Sequence, residues 1–379
     1  MRIFTILAGI SLILLVLLDA FEAVILPRRV TRTFRLTRFF YRFTWRLWGA
    51  FVQWCVLRKR REMFFSYYGP VSLLFLFACW ALALILGFAL IHWGMGSAVA
   101  VQYGNSGFLA DLYLSGTTFF TLGLGDVVPR TSLARIVTVT EGGLGFGFLA
   151  LIIGYLPVIY QSFSRREVYI AMLDARAGSP PSGGELIRRH SVPGGMEALQ
   201  VLLHEWERAS ADMLESHLSY AVLPFFRSQH NNQSWLMALT TILDACALLI
   251  AGQRDPCVRQ ARLTFAGARH TVVDLAQIFS SPPKLVPQRL THEKFLTLRA
   301  GLVAAGLTFC DDKDFERRLT RLRRMYEPYI HAIGEYLRLD LPEWTKAPER
   351  KDNWETSGWD NALRAVDALE AGEEFEEHF

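Results

Sequence analysis

Three stretches of the chain are long and apolar enough to cross a membrane as helices. Ile3–Leu26, Val71–Trp93 and Ile136–Tyr160 each supply the roughly 20 mostly apolar residues that span a hydrocarbon core. After Phe163 the apolar residues recur at helical spacing among polar ones, as in a soluble helical bundle. The pattern therefore predicts a membrane-embedded first half and a helical second half.

The segment after the first stretch is strongly basic. Arg28–Arg61 carries eleven Lys and Arg residues and no acid, and the positive-inside rule places such a segment in the cytoplasm. A signal peptide is the alternative for the first stretch, but no small-x-small cleavage motif follows it, and Asp19 and Glu22 occupy that region. We predict a multi-pass plasma-membrane protein with its N-terminus outside and its C-terminal half in the cytoplasm.

Two interpretations remain open for the arginines of this basic segment. They recur every three or four residues with aromatic residues between them, a spacing found in voltage-sensing helices. Such sensors need acidic partners on neighbouring spans, and only one span precedes the segment. We favour an amphipathic helix on the inner leaflet, where it contacts anionic lipids. The arginines concerned are Arg32, Arg35, Arg38, Arg42 and Arg46.

A short helical stretch and then alternating glycines lie between the second and third spans. Residues 110–126 predict a pore helix followed by a loop at membrane depth. A desolvated cation needs successive carbonyl oxygens on one axis, which an ordinary strand does not present. Positive φ at alternate residues provides that arrangement, and Gly123 and Gly125 adopt it without a Cβ penalty. The negative end of the preceding helix favours cations.

This loop resembles the selectivity filter of the potassium channel superfamily. Thr118–Asp126 reads TFFTLGLGD and fits the superfamily's T-x-x-T-x-G-x-G-D signature. The flanking spans resemble the outer (71–93) and inner (133–162) helices of its two-transmembrane pore module, within a pore domain of 68–166. Leu124 and Phe120 depart from the commonest pattern, so a non-selective cation channel of the same fold remains the alternative.

The resemblance implies both an assembly and a set of site residues. One chain supplies a single loop and four loops surround an ion, which predicts a homotetramer that conducts potassium ions passively across the lipid bilayer. No cofactor is expected apart from the permeant ion. The implied potassium filter comprises Thr121, Leu122, Gly123, Leu124 and Gly125, and the implied pore support comprises Thr118, Asp126 and Glu141.

The third span carries the candidate gating residues Gly143, Gly145 and Pro157. The two glycines indicate either a hinge or close packing against another helix. The proline removes a backbone hydrogen bond near the cytoplasmic end, which predicts a kink there. Glu141 is a carboxylate inside a span, where charge is costly. We expect it behind the filter, with pairing to Arg135 as the alternative.

The second half shows no catalytic or ligand-binding motif, so no enzyme activity is predicted. It divides into a helical cytoplasmic domain (167–346) and a tail (347–379) with ten acids and three bases, which predicts a solvated end. Gly178–Gly184 is rich in Gly, Ser and Pro and predicts a hinge-like linker. A membrane-anchored helical sensor is the competing function. In that case the spans would serve only to hold this half at the membrane.

Composition is consistent with this architecture. The chain of 379 residues is 51% hydrophobic and 20% charged. Its net charge of +4 is too small to indicate nucleic-acid binding, and its five cysteines are scattered, which argues against a disulfide framework or a zinc site. The predicted fold is an all-α membrane protein with a two-helix pore module, a re-entrant pore loop, an extra N-terminal transmembrane helix (1–27), a basic amphipathic segment (28–67) and a helical cytoplasmic domain.

Overall fold

The chain divides into two compact units. The computed structural model describes residues 2–26, 36–102, 105–229, 232–252, 257–279, 281–284, 288–309, 314–345 and 351–355. The first unit comprises Met1–Phe163 and Ser216–Phe226, and the second comprises Ser164–Glu215 and Arg227–Phe379. Arg32, Arg35 and most of the predicted acidic tail lie outside the described residues.

Long helices dominate the first unit, as predicted. They are α1 (Arg2–Ala20, continued by a π-helical turn, Phe21–Ile25), α2 (Leu36–Cys55), α3 (Arg61–Gly94), α4 (Phe108–Phe119) and α5 (Ser132–Ala177). By length and composition α1 with its π turn, α3 and α5 are able to cross a membrane, which confirms the predicted class of fold. Both helices of the expected pore module are longer than their predicted ranges, because turns beyond the apolar windows remain helical.

The N-terminal helix α1 packs closely along α3. A Cβ atom added to Gly9 would lie 2.5 Å from the carbonyl oxygen of Gly87, and one added to Gly87 would lie 2.6 Å from Cγ1 of Ile13. Small residues allow this approach between membrane helices, where van der Waals contact contributes much of the association. The extra helix is therefore an integrated part of the first unit.

Asp19 joins three helices of this unit. Its carboxylate accepts hydrogen bonds from the backbone nitrogen (3.1 Å) and hydroxyl (2.7 Å) of Thr37 and from Nε1 of Trp80 (3.1 Å). The bonds to Thr37 satisfy donors at the start of α2 and place a negative charge at its positive end. Asp19 lies in the one span that precedes the basic segment, and its carboxylate is thus engaged in capping α2.

Two short strands form a hairpin-like ladder that the sequence analysis did not predict. β1 (Val99–Val101) pairs antiparallel with β2 (Val127–Pro129), with Val99 opposite Pro129 and Val101 opposite Val127. Val99 and Val127 also pack with Leu114 of α4 in a small buried cluster. Strands of three residues are too short to show a period of two, so only the tertiary contacts reveal them.

The second unit is built from helices, as predicted. It contains the end of α5, α6 (Gly183–Arg189), most of α7 (Gly195–Ser219), α8 (Trp235–Gly252), α9 (Cys257–Ile278), α10 (His292–Ala304), α11 (Phe315–Arg323) and α12 (Glu327–Leu337). Although α8 is apolar enough to span a membrane, 94% of its apolar window is buried inside the structure. It is therefore a core helix of the second unit.

The prediction of a hinge-like linker at Gly178–Gly184 is wrong. A Cβ atom added to Gly183 would lie 2.7 Å from Cβ of Asp244, and one added to Gly184 would lie 2.5 Å from the carbonyl oxygen of Trp344. The hydroxyl of Ser182 caps α6 by accepting a hydrogen bond from the backbone nitrogen of Glu185. The small residues here allow close packing and provide no slack.

The prediction of a solvated tail holds for Lys351, Trp354 and Glu355 in its described part (351–355), which are exposed, but it is wrong for Asp352. Asp352 is only 1% exposed. Its carboxylate accepts a hydrogen bond from the backbone nitrogen of Ser179 (3.0 Å) and pairs with the guanidinium of Arg189 (2.7 Å). The net charge of the tail suggested a solvated end. The guanidinium of Arg189 and the backbone nitrogen of Ser179 compensate the buried charge of Asp352.

A buried ion pair in the second unit provides the first prediction. Asp244 is fully buried and pairs with Arg289 at 2.6 Å, and the Tyr326 hydroxyl donates to the same carboxylate oxygen at 2.5 Å. Burial opposes charge on Arg289, but the nearby Asp244 carboxylate outweighs it and raises the pKa of the guanidinium. Arg289→Met leaves a buried carboxylate without its counter-charge, so we expect the free energy of unfolding to fall by about 3–5 kcal/mol.

Denaturant unfolding of the purified full-length chain measures this effect. Lys294→Met is the control, because Lys294 pairs with Glu343 at 3.1 Å with both side chains more than half exposed. Exposed pairs contribute about 0–1 kcal/mol, so the control should unfold almost as the wild type does. An equal loss of unfolding free energy in the two variants would contradict the expectation that a buried ion pair matters more for stability than an exposed one.

Candidate functional site

The pore helix α4 ends in a hydrogen-bonded cap that turns the chain into the glycine loop. The backbone nitrogen of Leu122 donates to the carbonyl oxygen of Thr117 (2.7 Å), and that of Thr121 donates to Thr118 (3.0 Å). Thr121 adopts φ of +57°, the left-handed conformation that this type of helix end requires. Glycine is the usual residue at such a position, so the sequence did not predict a threonine there.

Every second residue of the loop has a positive φ. The values are +57° at Thr121, +56° at Gly123 and +80° at Gly125. The two glycines thus have the backbone conformation that the sequence analysis expected of them. Between the cap of α4 and strand β2, the loop departs from an ordinary strand, in which successive carbonyl groups point to opposite sides.

The loop is uncovered in the single chain. The side chains of Leu122 and Leu124 are 62% and 65% exposed, and no described atom approaches within 4 Å of a Cβ built on Gly123 or Gly125. One copy of the described chain therefore does not enclose a path for an ion. The glycines are required here by their φ values and not by a neighbouring atom.

The strand ladder holds the end of the loop. The carbonyl oxygen of Asp126 accepts a hydrogen bond from the backbone nitrogen of Gln102 (2.9 Å). The Asp126 carboxylate accepts a hydrogen bond from the backbone nitrogen of Val127 (3.1 Å). Asp126 is thus fixed to the strand ladder, and its place at the mouth of a pore stays a prediction.

The inner helix α5 packs against the end of the pore helix at Gly145. A Cβ atom there would overlap with the carbonyl oxygen of Phe119 and would lie 2.9 Å from its carbonyl carbon. A Cβ on Gly143 would meet no described atom within 4 Å apart from its own helix. The close-packing interpretation therefore holds at Gly145. Helix α5 runs unbroken through Pro157 to Ala177, and the gating roles of these residues stay predictions.

Glu141 packs against α4, the helix that precedes the glycine loop, and its expected role in supporting a filter stays a prediction. It is completely buried, and its carboxyl group is hydrogen-bonded to the hydroxyl of Ser115 in α4. The alternative partner, Arg135, donates instead to the carbonyl oxygen of Pro129. Thr118 also faces α5, since its methyl group lies 3.7 Å from a Cβ built on Gly142. The sequence analysis missed Ser115; a hydroxyl within an apolar helix beside a span carboxylate was the available signal.

An uncovered apolar strip runs along α5 beside the loop. Only 11% of the helix's apolar window is buried in the single chain. The exposed residues recur three or seven positions apart, so they share one face of the helix. These residues are Ile136, Val139, Phe146 and Ile153, with exposed fractions between 63% and 76%.

Comparison with known proteins identifies the same region. Residues 72–161 match the sequence model of a family described as ion channel, whose members are channels and not enzymes. YdjJ, an uncharacterised membrane protein of Bacillus subtilis (strain 168), is 21% identical over 141 residues, which cover 37% of this chain and 40% of the relative. The chain thus aligns with less than half of that relative's length. No solved structure matches the chain significantly.

Proposed function

From the match of residues 72–161 to an ion channel family, we propose that the chain forms a potassium-selective channel in the plasma membrane. The observation that carries the proposal is the alternation of positive φ at Thr121, Gly123 and Gly125, in a loop between two helices able to span a membrane. In this proposal the carbonyl oxygens of Thr121–Gly125 replace the water around the ion. Asp126 adds negative charge at the outer mouth.

Four copies of the chain complete the site. The exposed loop and the uncovered strip on α5 support this part of the proposal, because a monomer leaves both without a partner. Exposed apolar surface next to an incomplete site is typical of an interface. In the tetramer four loops surround one axis, and the inner helices line the path below them.

The second prediction concerns this assembly. The detergent-extracted protein should have a protein mass of roughly 170 kDa, four times the 43.1 kDa of one chain. Light scattering coupled to size exclusion, with the detergent contribution subtracted, measures this mass. A stable monomer or dimer that conducts ions in liposomes would contradict the tetramer.

Ion flux through the purified full-length protein in liposomes tests the function. Potassium flux well above sodium flux at equal gradients is the expected result. Equal fluxes of the two ions would favour the non-selective cation channel, which Leu124 and Phe120 suggest. The absence of any flux from correctly inserted tetramers would favour a membrane-anchored sensor.

The exposed side of α2 supports contact with anionic lipids. Phe39, Phe43, Leu47, Phe51 and Trp54 are exposed at intervals of three or four residues. Arg58 and Arg60, just after the helix, are also exposed. An apolar stripe beside basic residues suits the inner leaflet. We expect the protein to bind phosphatidylglycerol nanodiscs more tightly than phosphatidylcholine nanodiscs. Equal binding to the two kinds of nanodisc at low ionic strength would contradict this expectation.

A further inference from the structure

One buried hydroxyl group connects three helices behind the filter loop. The Ser115 side chain of α4 is completely buried, and its oxygen lies 2.8 Å from the carbonyl oxygen of Ile85 in α3. The same oxygen is bonded to the carboxyl group of Glu141 in α5. The outer, pore and inner helices of the candidate pore module are thus joined through one atom.

The number of hydrogen atoms that the Ser115 hydroxyl can donate decides the protonation state of Glu141. A serine hydroxyl has one hydrogen to donate, and the Ile85 carbonyl can only accept. If that hydrogen goes to Ile85, Ser115 can only accept from Glu141, which requires Glu141 to be a carboxylic acid. A carboxylate would instead compete with Ile85 for the one hydrogen and break the chain of bonds.

Burial leads to the same assignment. The second carboxyl oxygen of Glu141 has no hydrogen-bond partner among the residues that the structure describes. An ionised carboxylate with an unpaired buried oxygen is far more costly than a neutral acid at the same place. The neutral form leaves at most one weak acceptor unsatisfied.

We propose that Glu141, as a neutral acid, is a positioning residue of the channel: it donates to Ser115, which donates to the carbonyl oxygen of Ile85. This relay fixes the pore helix relative to the outer and inner helices. Because Ser115 lies less than two turns before the cap at Thr121, the relay also fixes where the loop begins. The inference rests on the proposed function, since its readout is ion selectivity.

Three single substitutions and one double variant at Glu141 and Ser115 test the relay. Glu141→Gln keeps the size and a donor group, so its amide can still donate to Ser115. Glu141→Ala and Ser115→Ala each remove the relay, and we expect the ratio of potassium to sodium permeability to fall by about tenfold, as expected for one lost buried hydrogen bond. The double variant should fall no further than either single one, because both changes remove the same relay.

Ser72→Ala is the matched control for Ser115→Ala. Ser72 is also a buried serine that donates to a backbone carbonyl, but its bond to Gly69 stays within its own helix. Liposome flux of full-length tetramers gives the permeability ratio of each variant. The expected result is near-wild-type selectivity for Glu141→Gln and Ser72→Ala and a shared loss for the other variants.

The outcomes separate the relay from the function itself. If wild-type tetramers conduct selectively but Glu141→Gln loses selectivity as Glu141→Ala does, the neutral-donor assignment is overturned. If Glu141→Ala and Ser115→Ala lower only the yield of tetramers and the remaining ones stay selective, the residues have a merely structural role. If wild-type tetramers pass no potassium, the proposed function fails before the relay is tested.

A separate observation concerns the segment Ser216–Phe226. It packs in the first unit, although the chain on both sides of it belongs to the second unit. The ring of Phe225 is buried and lies between 5.2 and 5.9 Å from the rings of Tyr41 and Trp45 in α2 and Tyr68 in α3. Aromatic contacts of this kind add to the hydrophobic gain from burial.

The same segment contacts the inner helix on both sides of Pro157. The rings of Tyr220 and Tyr155 are 5.7 Å apart, and those of Phe226 and Phe163 are 5.6 Å apart. We infer that Ser216–Phe226 is a second connection, besides the continuous helix α5 itself, through which the cytoplasmic half acts on the opening of the channel. A displacement of the residues that flank this segment would change its contacts with Tyr155 and Phe163, which lie before and after Pro157 in α5.

Single-channel recording from full-length tetramers tests this connection. Tyr220→Ala and Phe226→Ala should change the open probability at least about threefold, the effect of roughly 0.6 kcal/mol of altered contact. Conductance and selectivity should not change, because the filter is untouched. Trp354→Ala, an exposed aromatic residue of the second unit, is the control. Open probabilities equal to the wild type in both variants would overturn the inference.

Discussion

Gly145→Ala should abolish potassium flux and sharply lower the yield of tetramers. The added methyl group would overlap with the backbone carbonyl of Phe119, and backbone at a capped helix end cannot rotate away as a flexible side chain can. Overpacking of this kind costs about 1–3 kcal/mol per site. The end of α4 must therefore move, and with it the start of the proposed filter loop in each copy of the proposed tetramer.

Gly147→Ala is the matched control for this substitution. Gly147 lies on the same helix two residues further on, and a Cβ there meets no described atom within 4 Å beyond its own helix. Alanine is also the better helix former, so this variant should be as stable as the wild type or slightly more so. Flux and thermal stability would be measured side by side. Wild-type behaviour of Gly145→Ala would mean that α4 and α5 do not approach each other as described.

Gly123→Ala should abolish potassium conductance and leave membrane insertion and tetramer formation intact. Gly123 has φ of +56°, which costs an alanine about 1–2 kcal/mol in each chain. Within one chain space is not the obstacle, since no described atom lies within 4 Å of the new Cβ. The strain is relieved when the residue returns to negative φ, which turns a carbonyl group away from the proposed ion path in every subunit.

Gly107→Ala provides the comparison for this second substitution. Gly107 lies just before α4 with φ of 170°, an extended backbone that any residue adopts, and its Cβ also meets open space. The Gly107→Ala variant should therefore conduct potassium like the wild type. Potassium currents of normal size from Gly123→Ala, in protein shown by light scattering to be tetrameric, would remove the filter assignment.

The sequence alone determined the kind of fold and the place of the candidate site. Apolar runs long enough to span a membrane appear directly in the chain, because the bilayer imposes their length. The need for positive φ at Gly123 and Gly125 was also visible, since glycine alone adopts it freely.

Only the tertiary structure decided which interpretation of an ambiguous residue was right. Glycine serves equally in a hinge, a turn or a close contact, so Gly145 and Gly183 were resolved only when their neighbours were known. The burial of Asp352 was missed because net charge does not reveal that this residue has a partner in Arg189. The relay through Ser115 and the docking of Ser216–Phe226 join residues distant in sequence, and such contacts depend on packing that local patterns do not encode.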